Sequence, residues 1–170
     1  MAFSKIAAEN LGGSTLPALS GTNLTSLTAG KILQVQYANI DSDQSTSGTS
    51  YAATSLTDQI TPSATSSKIL ISINGGRGSF GTGATEGNTR LHYQIGGAGF
   101  NSLINMHINQ VNELGGYGKP SASFCHVDSP NTTSAVDYTI YFKTNANTYY
   151  WNSANSNMGI TLMEIGAWPI

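Results

Sequence analysis

The sequence predicts an all-β protein: an antiparallel β-sandwich, jelly-roll-like, over residues 31–170, preceded by an extended N-terminal arm over residues 1–30. Three observations lead there. Charged residues are 9 % of the 170, against about a quarter in an average globular chain, so long amphipathic surface helices lack their building blocks. Ser and Thr number 40 and Asn 15, and these short polar side chains suit strand edges and turns. About eight short apolar runs follow one another with no helical period between them, which is the pattern of a sandwich or jelly roll.

Residues 1–10, MAFSKIAAEN, fit either one short helical turn or an extended segment. Residues 11–30 carry Gly12, Gly13, Gly21, Gly30 and Pro17, which argues against a helix. Leu11, Leu16, Leu19, Leu24 and Leu27 recur along this stretch. A free linker has no use for five leucines, whereas each leucine buried on a surface contributes roughly 1.5–3 kcal/mol. The five are therefore expected to be arm contacts, either on another protein or folded back on the chain's own domain.

From Lys31 the rhythm becomes β. KILQVQYANI sets Ile32, Leu33, Val35 and Tyr37 against Gln34 and Gln36, the signature of a half-buried strand. DSDQSTSGTS reads as a loop. YAATSLTDQITP is a second strand stopped by Pro62, and SATSS is a tight turn. KILISING, nearly continuous in apolar residues, is a third and central strand. GGRGSFGTGATEGN is a glycine-rich loop. TRLHYQIGG sets Leu91, Tyr93 and Ile95 against His92 and Gln94. FNSLINMHINQV suits helix or strand and is taken as strand from its neighbours, with NELGGYGKP as a turn region. SASFCHVD, AVDYTIYFKTN and GITLMEIGAW complete the set.

Catalytic and metal signals are weak. His92, His107 and His126 lie far apart, without metal-ligand spacing. Cys125 and His126 are strand neighbours that point to opposite faces, so they cannot act as a nucleophile–base pair; the thiol is expected to be buried. One cysteine allows no intrachain disulfide. GTGATEG (81–87) lacks the G-x-G-x-x-G spacing and is not followed by Lys-Ser/Thr. The stretch from Asp41 to Ala52 fails as a calcium loop, with Thr46 where Gly is needed and Ala52 where Glu is needed. The nine acids are scattered, and no Gly-x-Ser-x-Gly elbow occurs. No catalytic residue, metal or cofactor is expected. A net charge of -2 offers no field for nucleic acid, and no run approaches the ~20 apolar residues of a membrane helix. No basic-then-apolar leader opens the chain, so a secretory signal is not expected. Tyr149, Tyr150 and Trp151 lie in a polar stretch, NANTYYWNSANSN, expected to be a loop. There they are candidates for receptor or subunit contact, sugar stacking included, or for anchoring the loop in a core. Low charge also points to surface covered by neighbouring subunits.

GKILQVQYANID, then TSYAATSLTDQITPSATSSKILISING, and the closing GITLMEI strand resemble a domain common in tailed-bacteriophage structural proteins. The segment LPALSGTNLTSL is similar to connectors that lead into terminal domains of phage fibres. The resemblance covers residues 14–74 well and the last strand moderately; the middle is not distinctive. It implies a non-enzymatic virion protein, a homotrimer, assembled in the bacterial host cytoplasm and located in the virion, with other virion proteins (major capsid protein or tail proteins) as partners. It carries no catalytic residues. The chain is short for a tail fibre, with no shaft. Two jobs follow: a capsid decoration, cement or short head-fibre protein attached through its arm, or a tail appendage whose β-domain binds a host-surface glycan. A glycan-cleaving tailspike is a distant third, for want of a carboxylate pair.

Overall fold

A computed structural model describes residues 31–80, 86–110, 122–152 and 156–166. They belong to one compact unit, Gly30–Ala167. The arm expected over residues 1–30, with its five leucines, lies outside the described residues.

The described residues form eleven strands: β1 (Ile32–Ile40), β2 (Gln44–Thr46), β3 (Ala52–Ile60), β4 (Lys68–Gly75), β5 (Ser79–Phe80), β6 (Glu86–Ile95), β7 (Asn101–Gln110), β8 (Ala122–Asp128), β9 (Val136–Thr144), β10 (Tyr149–Asn152) and β11 (Met158–Ile165). Eight of them make two four-stranded sheets, in the orders β1-β11-β4-β8 and β3-β9-β6-β7, with every pairing antiparallel. The first of the eight pairs with the last, the second with the seventh, the third with the sixth and the fourth with the fifth. That is a long hairpin rolled across two sheets, the jelly-roll plan.

Alternation drives the packing. Ile69, Ile71 and Ile73 of β4, with Met158, Ile160 and Leu162 of β11, fill one side of the core. Leu56, Ile60, Leu91, Val136, Ile140 and Phe142 fill the other, in a single cluster. At roughly 1.5–3 kcal/mol for each buried side chain, this cluster is the main favourable term in folding. The phenol of Tyr138 on β9 reaches across the core and donates to Asp128 Oδ2 on β8 at 2.7 Å. Burial first, and then that hydrogen bond, push its ionisation well above the ordinary tyrosine range. The β3–β9 ladder slips between Ala53 and Thr57. There the buried Thr54 hydroxyl substitutes for the ladder, donating to the Ile140 carbonyl at 2.9 Å and accepting the Leu56 N–H at 3.2 Å.

β2, β10 and β5 form a third, small sheet in that order. They lie in the connections β1→β3, β9→β11 and β4→β6. Ile40, Met158 and Gly75 share one cross-sheet row, so all three connections leave the first sheet at the same end, and the small sheet closes that end. The sequence reads these stretches as loops, because two to four residues are too few to show a period.

Three expectations are corrected here. Tyr149, Tyr150 and Trp151 are not in a loop but in β10, and Tyr149 and Trp151 are 0 % and 2 % exposed. Cys125 is exposed, not buried, because the inward positions of β8 belong to Phe124 and His126. Four apolar residues of β1 expected to face the core face outward: Ile32, Leu33, Val35 and Tyr37 are 62 %, 46 %, 51 % and 61 % exposed. The period is right and the face inverted. β1 is an edge strand, and its inward positions include Gln34, which is needed to meet a buried carboxylate.

Candidate functional site

Glu164 is that carboxylate. It sits on β11 with no exposed surface. Its Oε1 accepts the Ser63 N–H at 2.7 Å, the Ser63 hydroxyl at 2.6 Å and the Ser67 hydroxyl at 2.6 Å. Its Oε2 accepts Gln34 Nε2–H at 2.7 Å. Burial alone raises a carboxyl's pKa; here the hydrogen bonds from Ser63, Ser67 and Gln34 outweigh it and bring the value down to about 2. The cluster ties the edge strand β1 and the turn between β3 and β4 to the last strand. Gln34, Ser63, Ser67 and Glu164 lie in the GKILQVQ, ITPS, SSK and GITLMEI segments that carry the phage-protein resemblance. With all four groups satisfied inside the fold, they form a structural clasp.

β10 is likewise structural. The Tyr149 ring lies on Gly87, where a Cβ would fall 2.5 Å from ring atoms, and tilts against Phe142 at 6.4 Å between centroids. Asn152, 0 % exposed, donates to the carbonyls of Ser42 at 3.0 Å and Ser156 at 2.6 Å. Of the three aromatic candidates, Tyr150 alone is half-exposed; the other two rings are core, which removes them from a contact surface.

Two outer faces remain, and they differ in chemistry. The face of β3-β9-β6-β7 is polar and charged. Asp137 is held between Gln59 Nε2–H at 2.7 Å and Gln94 Nε2–H at 2.9 Å, and the Thr57 and Thr139 hydroxyls meet at 2.6 Å. Beside them runs an aromatic row. His92 stacks on Tyr141 at 3.9 Å between centroids, Phe100 tilts against Tyr141 at 5.7 Å, and Tyr51 lies 6.3 Å from His92. The Arg90 guanidinium sits 4.2 Å from the Tyr51 ring centre and the Lys143 ammonium 5.1 Å, within cation–π range. Arg90 Nε–H also donates to Asn105 Oδ1 at 2.7 Å. Both His92 nitrogens are buried with no hydrogen-bond partner. Burial first, then the Arg90 charge, hold its pKa below the ordinary histidine value. This row comes from four separate segments, so no linear motif announces it. The available signal was Tyr141 and Lys143 on the non-core side of β9.

The outer face of β1-β11-β4-β8 is nearly uncharged and carries one wholly apolar row beside polar ones. Val35, Met163, Leu70 and Val127 fall in one cross-strand row that spans all four strands. Tyr37, Thr161, Ser72 and Cys125 form the next row. Tyr37 lies over Gly159, where a Cβ would come 2.8 Å from its ring. Among the described residues no group of three His, Cys, Asp or Glu side chains is placed to hold a metal ion.

No protein-family model matches the chain, and no curated protein matches it. Among solved structures, it is similar to that of infectious bursal disease virus Gt strain, at 14 % identity and TM-score 0.43, over 79 % of this chain and 37 % of that one. It is also similar to the Gx strain structure, at 11 % and 0.33 over 78 % and 39 %, and to the T13 viral particle of the same virus, at 12 % and 0.35 over 88 % and 41 %. The chain thus spans about two fifths of the length of the chains it matches in these structures. The jelly-roll assignment rests on the strand order and registers described above.

Proposed function

We propose that the chain is a non-enzymatic virion structural protein, a jelly-roll module attached to a phage particle as a surface decoration, cement or short head-fibre protein. The observation that carries this reading is the eight-strand jelly roll, a plan used by capsid and lectin domains, closed by a clasp built from the residues that resemble tailed-phage structural proteins. In this reading the N-terminal arm attaches the module through Leu11, Leu16, Leu19, Leu24 and Leu27, the module is a homotrimer, and its neighbours are the major capsid protein or tail proteins. The test is to locate and count the protein on purified particles by density and quantitative mass spectrometry. Many copies over the shell support decoration, and absence from particles overturns the reading. Deleting residues 1–30 is expected to leave a folded β-domain that no longer joins the particle; normal incorporation of the truncated protein would sink the arm.

The row Tyr51, Arg90, His92, Tyr141 and Phe100 favours a second reading, a tail appendage whose β-domain binds a host-surface glycan. Half-exposed rings flanked by cations offer apolar edges and charge together on one face. Few copies located at the tail, and glycan binding abolished by Tyr51→Ala with Tyr141→Ala, would support it.

A further inference from the structure

We infer that the outer face of the β1-β11-β4-β8 sheet is where another copy of this chain packs. The inference rests on the homo-oligomeric part of the reading above and gives it a surface. The Val35–Met163–Leu70–Val127 row is apolar from one edge of the sheet to the other. Its ends, Val35 and Val127, are 51 % and 47 % exposed. β1 turns Ile32, Leu33, Val35 and Tyr37 away from its own core, leaving only Ala38 and Ile40 packed against it, and the exposed four are costly in water unless a partner covers them. Monomeric soluble domains rarely leave a contiguous apolar row of this kind open to water.

Charge selects a copy of the same chain as that partner. Lys68, at one corner, is the one charged side chain among the described residues of this face, whereas the opposite sheet's outer face carries Glu86, Arg90, Asp137 and Lys143. A face whose one charge sits at a corner packs on an identical chain without bringing like charges together along the row, and it presents little to attract a charged partner. Because the row runs straight across the strands, a two-fold axis lying along it superimposes row on row. In a closed ring, the exposed β1 edge of one copy lies across the row of the next. Four strands about 4.8 Å apart and about eight residues long make a face of about 500 Å² in plan. Side-chain relief adds to that figure, which is of the same order as the roughly 800 Å² per partner of a standard interface.

The test is the mass of the full chain by sedimentation equilibrium from micromolar to sub-millimolar concentration, alone and with Val35→Lys plus Val127→Lys. Both positions are exposed, so the variant is expected to keep its fold, checked by its melting temperature. Ser55→Lys, on the outer face of the other sheet, is the control. The sole cysteine supplies a second readout, because Cys125 lies on the proposed face. The expected result is a closed multiple of the chain mass, reduced to one chain by the double variant and unchanged by Ser55→Lys. Maleimide labelling of Cys125 should be slow in the oligomer and fast in the variant. A single-chain mass for the unaltered protein at every concentration overturns both the oligomer and the face. A multiple that survives Val35→Lys plus Val127→Lys overturns the face alone, and neither result bears on whether the protein resides in particles.

Discussion

Replacing Glu164 with Gln should remove a specific, pH-dependent share of the fold's stability. The carboxylate has no exposed surface, and three hydrogen bonds converge on Oε1 and one on Oε2. Its pKa falls from an ordinary 4.5 to about 2, a difference worth about 3 kcal/mol between the ionised and protonated forms. Because the folded value is the lower one, the unfolded chain takes up the proton first as pH falls. The stabilisation is complete above about 4.5 and is lost on the way down to about 2. A glutamine keeps one oxygen for Ser63 and Ser67 but turns an N–H toward Gln34 Nε2. Gln34 can flip to accept it only by giving up its 2.6 Å hydrogen bond to the Thr61 carbonyl. The expected loss at pH 7 is about 2–4 kcal/mol, large beside the ~5–15 kcal/mol of a typical domain. Urea titrations at neutral pH and at steps down to pH 2, followed by the fluorescence of buried Trp151, measure it. Other acids titrate in both proteins and cancel in the difference between them. The difference should shrink toward zero through the acid window. A difference that stays constant with pH would refute the clasp as an ionised, hydrogen-bonded site.

His92→Phe keeps the stack on Tyr141 while deleting two buried nitrogens that have no partner. It should raise stability at pH 7 by up to about 1 kcal/mol. With its folded pKa lowered, the native His92 also costs stability as pH falls from about 6.5 toward the folded value, so the Phe variant's melting temperature should fall less over that range. Gly87→Ala drives a Cβ into the fully buried Tyr149 ring and should cost about 1–3 kcal/mol. Gly159→Ala, under the 61 % exposed Tyr37 ring, which can swing away, should cost under about 1 kcal/mol. Equal losses for the two alanines in denaturant titrations would mean that the rings are not held as described.

Most of the eight long strands were legible in the sequence, several by alternation, β4 by its continuous apolar run and β7 only from its neighbours, and the jelly-roll class followed from their number and the absence of helical periods between them. What alternation cannot show is which of two faces meets the core. Leu33, Val35 and Tyr37 alternate with Gln34 and Gln36 as an amphipathic strand should, yet the core side is the glutamine side, because Glu164 requires Gln34 across the ladder. Cys125 was misplaced for the same reason: Phe124 and His126 take the inward positions of β8. The small sheet was illegible because its strands are short and earn their stability from one another. Tyr149 and Trp151 are buried inside a run of Asn, Ser and Thr, and only the pairing of β10 with β2 and β5 shows why. The clasp was half-legible, since its residues lie in the segments that carried the resemblance, but the role of a lone Glu164 needed the turn at Ser63–Ser67 brought against it.

The two outer faces bear on how the module sits in an assembly. Several polar groups on the β3-β9-β6-β7 face are already matched to one another: Asp137 by two glutamines, Arg90 by Asn105, and Thr57 by Thr139. Apart from the unpartnered His92 nitrogens, these groups are matched within the face, and covering it strips water from Arg90, Lys143 and Glu86, which costs unless the cover brings new partners. The opposite face gains from cover at every position of its apolar row. With 9 % charged residues in the whole chain, this segregation gives the module a direction. If the apolar row packs on a neighbouring copy as inferred above, the charged, aromatic sheet is the one turned to the medium, and locating both faces in a particle reconstruction checks this.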